Sequence, residues 1–339
     1  LGDAPGWHFR QLSLIENSEA EAIMNLMLSA SMFSAFASPR LHFILLARII
    51  LMTLEHGLAG ASTTALAWYG VMIGCRYHQY EKGYVYTLLG RSLVNDHPLS
   101  HFIGRTLLAV DLCSAWVKPL SVAVENARAC FTAAVDNGDL TAACFVLRHQ
   151  TMNFLIRGDH LDGVLTSIEG GLGYVRKLHF PDVEIMLTIQ RLYVNHLRNV
   201  GSGTFSGHEL FPDSLLSVTN NRESQPIPLA IFWFWLYRGM AHFIVGEYAD
   251  ASDCLEKAAP VAGMVPGYIH LLDYHFYSAL SLSQRLTPQE MTADRWERLR
   301  AHYDHIARWA EHNPATFADK AALVHAELAR LEQANDVAI

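Results

Sequence analysis

The sequence predicts an all-α protein, an α-solenoid of antiparallel helix hairpins, and three observations lead to that class. Apolar residues recur at helical spacing along the chain, with no alternating strand pattern anywhere. The helical stretches follow one another at intervals of roughly 20 residues, a period of about 40 per helix pair. The breaks carry Gly, Asn and Asp, as in Asp136-Asn137-Gly138-Asp139 and Arg157-Gly158-Asp159, residues suited to ending one helix and capping the next.

The clearest hairpin lies in IFWFWLYRGMAHFIVGEYADASDCLEKAAPV. Trp235 and Gly239 lie four apart on a first helix, Gly246-Glu247-Tyr248 makes the turn, and Ala251, Leu255 and Ala258 line one face of a second helix. Small residues at Gly239 and Ala251 let two antiparallel backbones approach closely, while Trp235 and Tyr248 fill the wider ends of the contact. This order of large and small residues around a Gly-x-Tyr turn resembles the tetratricopeptide repeat, which implies a right-handed superhelix. Two positions depart from that pattern: Arg238 stands where the family has an aliphatic residue, and His242 where it has an aromatic one.

The other elements follow in order. Residues 1–17 form a lead-in. Ser18-Glu19-Ala20-Glu21 has the form of a capping box and opens a helix to about Phe36. Pro39 begins the next, LHFILLARIILMTLEHG, whose apolar residues lie nearly all round, as in a helix sandwiched between neighbours. A second hairpin spans Ala61 to Cys75 and Tyr80 to Leu93, with Gly83 where a small contact residue is wanted. Helices are then expected at Leu99–Trp116, Leu120–Val135, Leu140–Ile156, Asp162–Leu178 and Val183–Val200. The regularity fails at 201–228, a long loop beginning Gly201-Ser202-Gly203 and pinned by Phe205, Leu210 and Phe211. After the clear hairpin come Tyr268–Arg285, a capping box with Pro at the first helical position in Thr287-Pro288-Gln289-Glu290, and two last helices from about Thr292 to His312 and Ala315 to Gln333. The organisation is thus 18–200 and 229–334 as two stretches of repeats around the loop, with a tail at 335–339.

Bulk composition narrows the function. Charged residues are only 17% of the chain, against about 25% in typical domains, so part of the surface suits a covering partner, or the chain is simply an Ala/Leu-rich helical protein. The net charge of −8, with no Lys/Arg cluster, excludes the phosphate-neutralising surface that nucleic acid demands. Cys75, Cys113, Cys130, Cys144 and Cys254 lie singly in apolar helices with no CxxC pair, which suits a reduced, cytoplasmic interior. PLAIFWFWLY stops at Arg238 and FILLARIILM is cut by Arg48, so no apolar run reaches the ~20 residues of a membrane span. LGDAPGWHFR lacks the pattern of a signal peptide and an initiator Met, and we expect the chain to be a segment of a longer protein.

Eighteen histidines invite a metal hypothesis. His302 and His305 flank Asp304, and His270 and His275 flank Asp273, but neither gives the i, i+4 pair with a glutamate of a zinc hydrolase helix. A metal-dependent enzyme built on His302, His305 and a distant carboxylate ranks last among the functions considered. No GxxxxGK[ST] or GxSxG occurs, GLGYVRK at 171–177 follows no strand, and Asp182/Glu184 and Glu290/Asp294 fit helix starts favoured by the dipole. We therefore expect no catalytic residues, no cofactor and no metal. The remaining candidate is a binding surface on the concave side: Trp233, Leu236, Met240, Phe243 and Ile244 from one helix, and His270, Tyr274 and Tyr277 at i, i+4, i+7 from the next. The competing assignment for these aromatics is contact with the next repeat.

Taken whole, LARIILMTLEHGLAGASTTALAWYGVM, FWFWLYRGMAHFIVGEYADA, DYHFYSALSLS and, most specifically, WAEHNPATFADKAALVHAELARLEQ resemble the helical-repeat region of large bacterial signalling proteins. Those proteins join a serine/threonine-kinase-like domain, an AAA-type ATPase, this region, a GAF domain and a histidine kinase. The resemblance implies a non-enzymatic scaffold or regulatory module that contacts other domains of the same polypeptide, or a protein or peptide partner. The alternative is a sensor binding a small molecule or peptide in the concave face. No motif of the flanking domains lies in this chain, and the resemblance transfers no catalytic residue.

Overall fold

The structure is a computed structural model that describes residues 6–200, 211–215, 227–264, 267–285 and 290–332. Every regular element among them is helical, and the one extended pairing joins Leu14 to Leu58. Phe205, Leu210, most of the 201–228 loop, Thr287-Pro288-Gln289 and the 335–339 tail fall outside the described residues. The chain divides into two compact units, Leu1–Gln150 and Thr151–Ile339. That division falls inside a helix, Leu140–Arg157, whereas the sequence placed its interruption at 201–228.

The first unit holds α1 (Trp7–Arg10), α2 (Ser18–Ala37), α3 (Pro39–His56), α4 (Gly60–Tyr77), α5 (Tyr80–Asp96), α6 (Ile103–Val117), α7 (Leu120–Asp136) and the start of α8 (Leu140–Arg157). From α2 to α7 each helix packs against the next, and α2 with α4 and α4 with α6 also touch. Met24, Leu28, Leu46, Ile49 and Leu66 are sealed in the resulting core, each contributing roughly 1.5–3 kcal/mol by leaving water. One start signal differs from expectation. Asn17, not Ser18, is the cap of α2: its Oδ1 accepts the Glu19 and Ala20 amides at 3.1 Å, and Ser18 is already helical. Ser38 then caps α3, with Pro39 at its first position. Where α3 ends, Gly57 takes φ +104° and lets the Leu58 amide donate to the Ser13 carbonyl at 2.8 Å, tying the lead-in to the turn.

The tightest approach in this unit is between α4 and α5. A β-carbon on Gly83 would stand 2.5 Å from the Gly70 carbonyl oxygen and 2.8 Å from Gly74 Cα, so three glycines let two backbones touch. The small contact residue expected at Gly83 therefore does what the pattern asked of it.

The second unit holds the end of α8, α9 (Leu161–Lys177), α10 (Pro181–Asn199), α11 (Pro228–Ile244), α12 (Tyr248–Ala262), α13 (His270–Gln284), α14 (Ala293–His312) and α15 (Pro314–Leu331). Here too, from α9 onward, each helix packs on its successor, and α11 with α13 and α13 with α15 also meet. Thr292 caps α14 by accepting the Arg295 amide. At Gly158 and Gly246 the chain turns with φ +80° and +85°, and the following amides, Asp159 and Glu247, reach back to the Phe154 and His242 carbonyls at 3.0 and 2.9 Å. Both are left-handed helix ends of the kind glycine favours.

The α11–α12 hairpin forms as its spacing predicts. A β-carbon on Gly239 would lie 2.9 Å from Leu255 Cγ and 3.2 Å from the Ala251 carbonyl oxygen. Both departures from the repeat pattern are met by an acidic partner: Arg238 donates to Asp213 at 2.8 Å, and His242 Nδ1 is 2.5 Å from Glu247 Oε2. We expect Gly239→Leu to overpack this hairpin and cost about 1–3 kcal/mol, read as a lowered urea midpoint. A midpoint equal to the parent's would show that the hairpin closes elsewhere.

Candidate functional site

The residues singled out in the sequence gather around α13, but they do not make one open face. Trp233, Leu236 and His270 have no exposed surface, and Met240 and Tyr274 are buried. Phe243, Ile244 and Tyr277 are half-buried, and the Phe243 and Tyr277 rings meet edge to face at 5.2 Å. The reason is packing: α10, α12 and α13 all contact α11, so its apolar sides are used up as core. The competing assignment, contact with the next helices, is what this arrangement realises for Trp233 and Leu236.

What the inner face of α13 builds instead is a buried polar cluster. The Tyr237 hydroxyl and His270 Nε2 share a 2.6 Å hydrogen bond, and the Trp233 ring lies 4.5 Å from the imidazole. Gln190 also bonds Tyr237, and Tyr193 bonds Tyr277. Asp273 sits among these phenols, and burial raises its carboxyl to about 7, with Lys320 pulling the other way. Burial likewise holds Tyr193 and Tyr237 well above the usual phenol range, so the cluster is made of neutral donors around one acid that titrates near neutrality.

The outer face of α13 borders a cleft of about 150 Å³ between α12, α13 and α14, lined by Tyr274, Ser278, Glu256, Arg298 and His302. Arg298 donates to Glu256 at 2.7 Å across it. Behind the cleft the fold brings together three histidines that the sequence offered only as separate pairs. His275 Nδ1 lies 2.9 Å from His302 Nδ1, and the His275 ring stacks on His305 at 4.2 Å. Burial, then the neighbouring imidazoles, push His275 well below its usual range and His302 down to about 4, so both are neutral at pH 7. Neutral imidazole is the metal-binding form, but in this pair one ring nitrogen of each histidine is engaged by the other. Among the described residues, the group whose donor atoms lie close enough to share an ion is His242, Glu247 and Asp250, where the His242–Glu247 bond already occupies one donor of each.

Two further features bear on chemistry. In the first unit Asp111 and His149 form a buried pair at 2.8 Å, and burial, opposed by the bond to Asp111, lowers the imidazole. The dyad is sealed from solvent, and the nearby Cys130 thiol is pushed well up by burial. Cys113 is held well up by its bond to Cys75 and by burial, and burial raises Cys144 and Cys254 to about 11. At neutral pH these four thiols carry almost no thiolate, the reactive form. The first unit also carries a depression of about 310 Å³ where Phe43, Tyr69, Tyr77 and Tyr86 meet Gln79 and Lys82. Phe43 stacks on Tyr69 at 5.4 Å, and Tyr86 meets Tyr69 edge to face. Sequence reasoning missed it because its walls come from α3, α4 and α5. The signal was the i, i+4, i+8 series Tyr69, Ile73, Tyr77.

A scan against family models and a search of curated proteins each returned no match. No helix among the described residues is long and apolar enough to cross a membrane.

Proposed function

We propose that the chain is a non-catalytic, tetratricopeptide-like solenoid, the scaffold or regulatory module of a bacterial signal-transduction kinase in the cytoplasm. It acts through contacts with other domains of its own polypeptide or with a protein or peptide partner. The observation that carries this reading is the nearest-neighbour packing of each unit, in which each of α2 to α7, and each of α9 to α15, packs on helices one or two places away along the chain. Packing of that kind builds extended faces in place of one enclosed site. Large apolar side chains remain on such faces: Leu26 and Phe33 of α2 are 72% and 83% exposed. The chemistry points the same way, since the Asp111–His149 pair is sealed and four thiols are held protonated.

The test is calorimetric titration of this chain with the kinase-like, ATPase-like and GAF domains that the family resemblance implies, each produced separately. Inter-domain surfaces resemble transient protein interfaces, so we expect micromolar binding to at least one of them. Absence of binding to all of them would remove the reading.

The sensor alternative is favoured by one observation, the aromatic depression beside Lys82, whose volume reaches the ~300 Å³ lower end for ligand pockets. The cleft at Tyr274 falls at half that size and fits a side chain better than a metabolite.

A further inference from the structure

The outward face of α3 carries an exposed pattern that no other described helix of its unit covers. Leu41, Ile44, Leu51 and Leu54 are 47%, 52%, 50% and 42% exposed, and Arg40, Arg48 and Glu55 are exposed with them. At 100° per residue these seven lie on one arc of the helix, opposite the buried His42, Leu46, Ile49 and Thr53.

The series is self-complementary when reversed. Place a second α3 antiparallel, with the two-fold axis between Ala47 and Arg48. Ile44 then faces Leu51 of the second copy and Arg40 faces Glu55, with Leu41 and Leu54 on the two flanks of the contact, and each pairing occurs twice by symmetry. Arg48 lies over Ala47 of the second copy, where its aliphatic stem covers apolar surface.

The helix dipole gives a second argument. Arg40 sits in the first turn of α3 and Glu55 in the last, each at the end that repels its charge. In the antiparallel pair each charge lies beside the opposite end of the other helix, which attracts it.

We propose that α3 is a homodimerisation helix, pairing in this register with α3 of a second copy of the chain. The proposal stands whether or not the chain also scaffolds a kinase. It is a surface of one helix, so the dimer is weak, with dissociation in the micromolar range.

The test is sedimentation equilibrium of the whole 37.9 kDa chain over a range of concentrations, with Arg40→Glu, Glu55→Arg and the double variant beside the parent. The parent shifts from monomer to dimer as concentration rises. Each single variant sets like charges opposite one another twice and weakens the dimer about tenfold or more, and the double variant, which restores the charge pairing but not the favourable dipole contacts, recovers part of that loss. Each single change also improves the dipole match of the isolated helix, so helical circular dichroism stays intact and misfolding does not mimic the loss. A parent that stays monomeric into the hundreds of micromolar, single variants that dimerise like the parent, or a double variant that recovers none of the loss would each overturn the proposal.

Discussion

Gly83→Ala is expected to cost about 3 kcal/mol by forcing α4 and α5 apart. The new β-carbon would meet the Gly70 carbonyl oxygen at 2.5 Å and Gly74 Cα at 2.8 Å. Both are backbone atoms inside a helix, so no side chain can swing away, and the helices must separate along their whole contact. Gly163 in α9 is the control: nothing lies within 4 Å of its β-carbon position, so Gly163→Ala should gain up to about 1 kcal/mol from helix propensity alone. Urea unfolding of the two variants should move the midpoint in opposite directions. A neutral Gly83→Ala would mean that α4 and α5 are not in backbone contact.

Asp273→Asn is expected to stabilise the protein at pH 8 and to do little at pH 4. The folded carboxyl is raised to about 7 by burial, whereas an unfolded aspartate titrates near 3.9. Between those values the folded state holds a proton that the unfolded state has released. The contribution of Asp273 is therefore fully present below about pH 4 and lost as pH rises through about 7, by on the order of 2–4 kcal/mol. An asparagine cannot ionise and escapes that loss. His275 and His302 act with the opposite sign. Their lowered values make stability present above about 6.5 and lost toward the acid side, so the comparison has to be variant against parent at each pH. A constant difference between the two proteins from pH 4 to 8 would show that Asp273 does not titrate in this window.

Local order was legible in the sequence and tertiary meeting points were not. The Gly239–Ala251 approach, the glycine turns at Gly158 and Gly246 and the Pro39 helix start all depend on a few consecutive residues. Each formed where the pattern put it. Two left-handed positions escaped notice because histidine occupies them: His78 at φ +57° and His179 at φ +53° end α4 and α9 without a glycine to mark them. The cap of α2 slipped by one residue because Asn17 and Ser18 are both good caps, and only the backbone angles decide between them.

The candidate site was harder for a different reason. The i, i+4, i+7 spacing of His270, Tyr274 and Tyr277 placed them together, but it could not say that α10 and α12 also cover α11 and seal Trp233 and Leu236 away. His275 and His302 are far apart in the chain and meet only because α13 packs on α14.

Hydrogen exchange of the chain alone and mixed with the neighbouring signalling domains would show whether the chain works through protein contact. Exchange should slow along one continuous set of helix faces in at least one unit, with the buried Asp111–His149 and Tyr237–His270 regions unchanged. Identical exchange with and without every domain would contradict a role through protein contact.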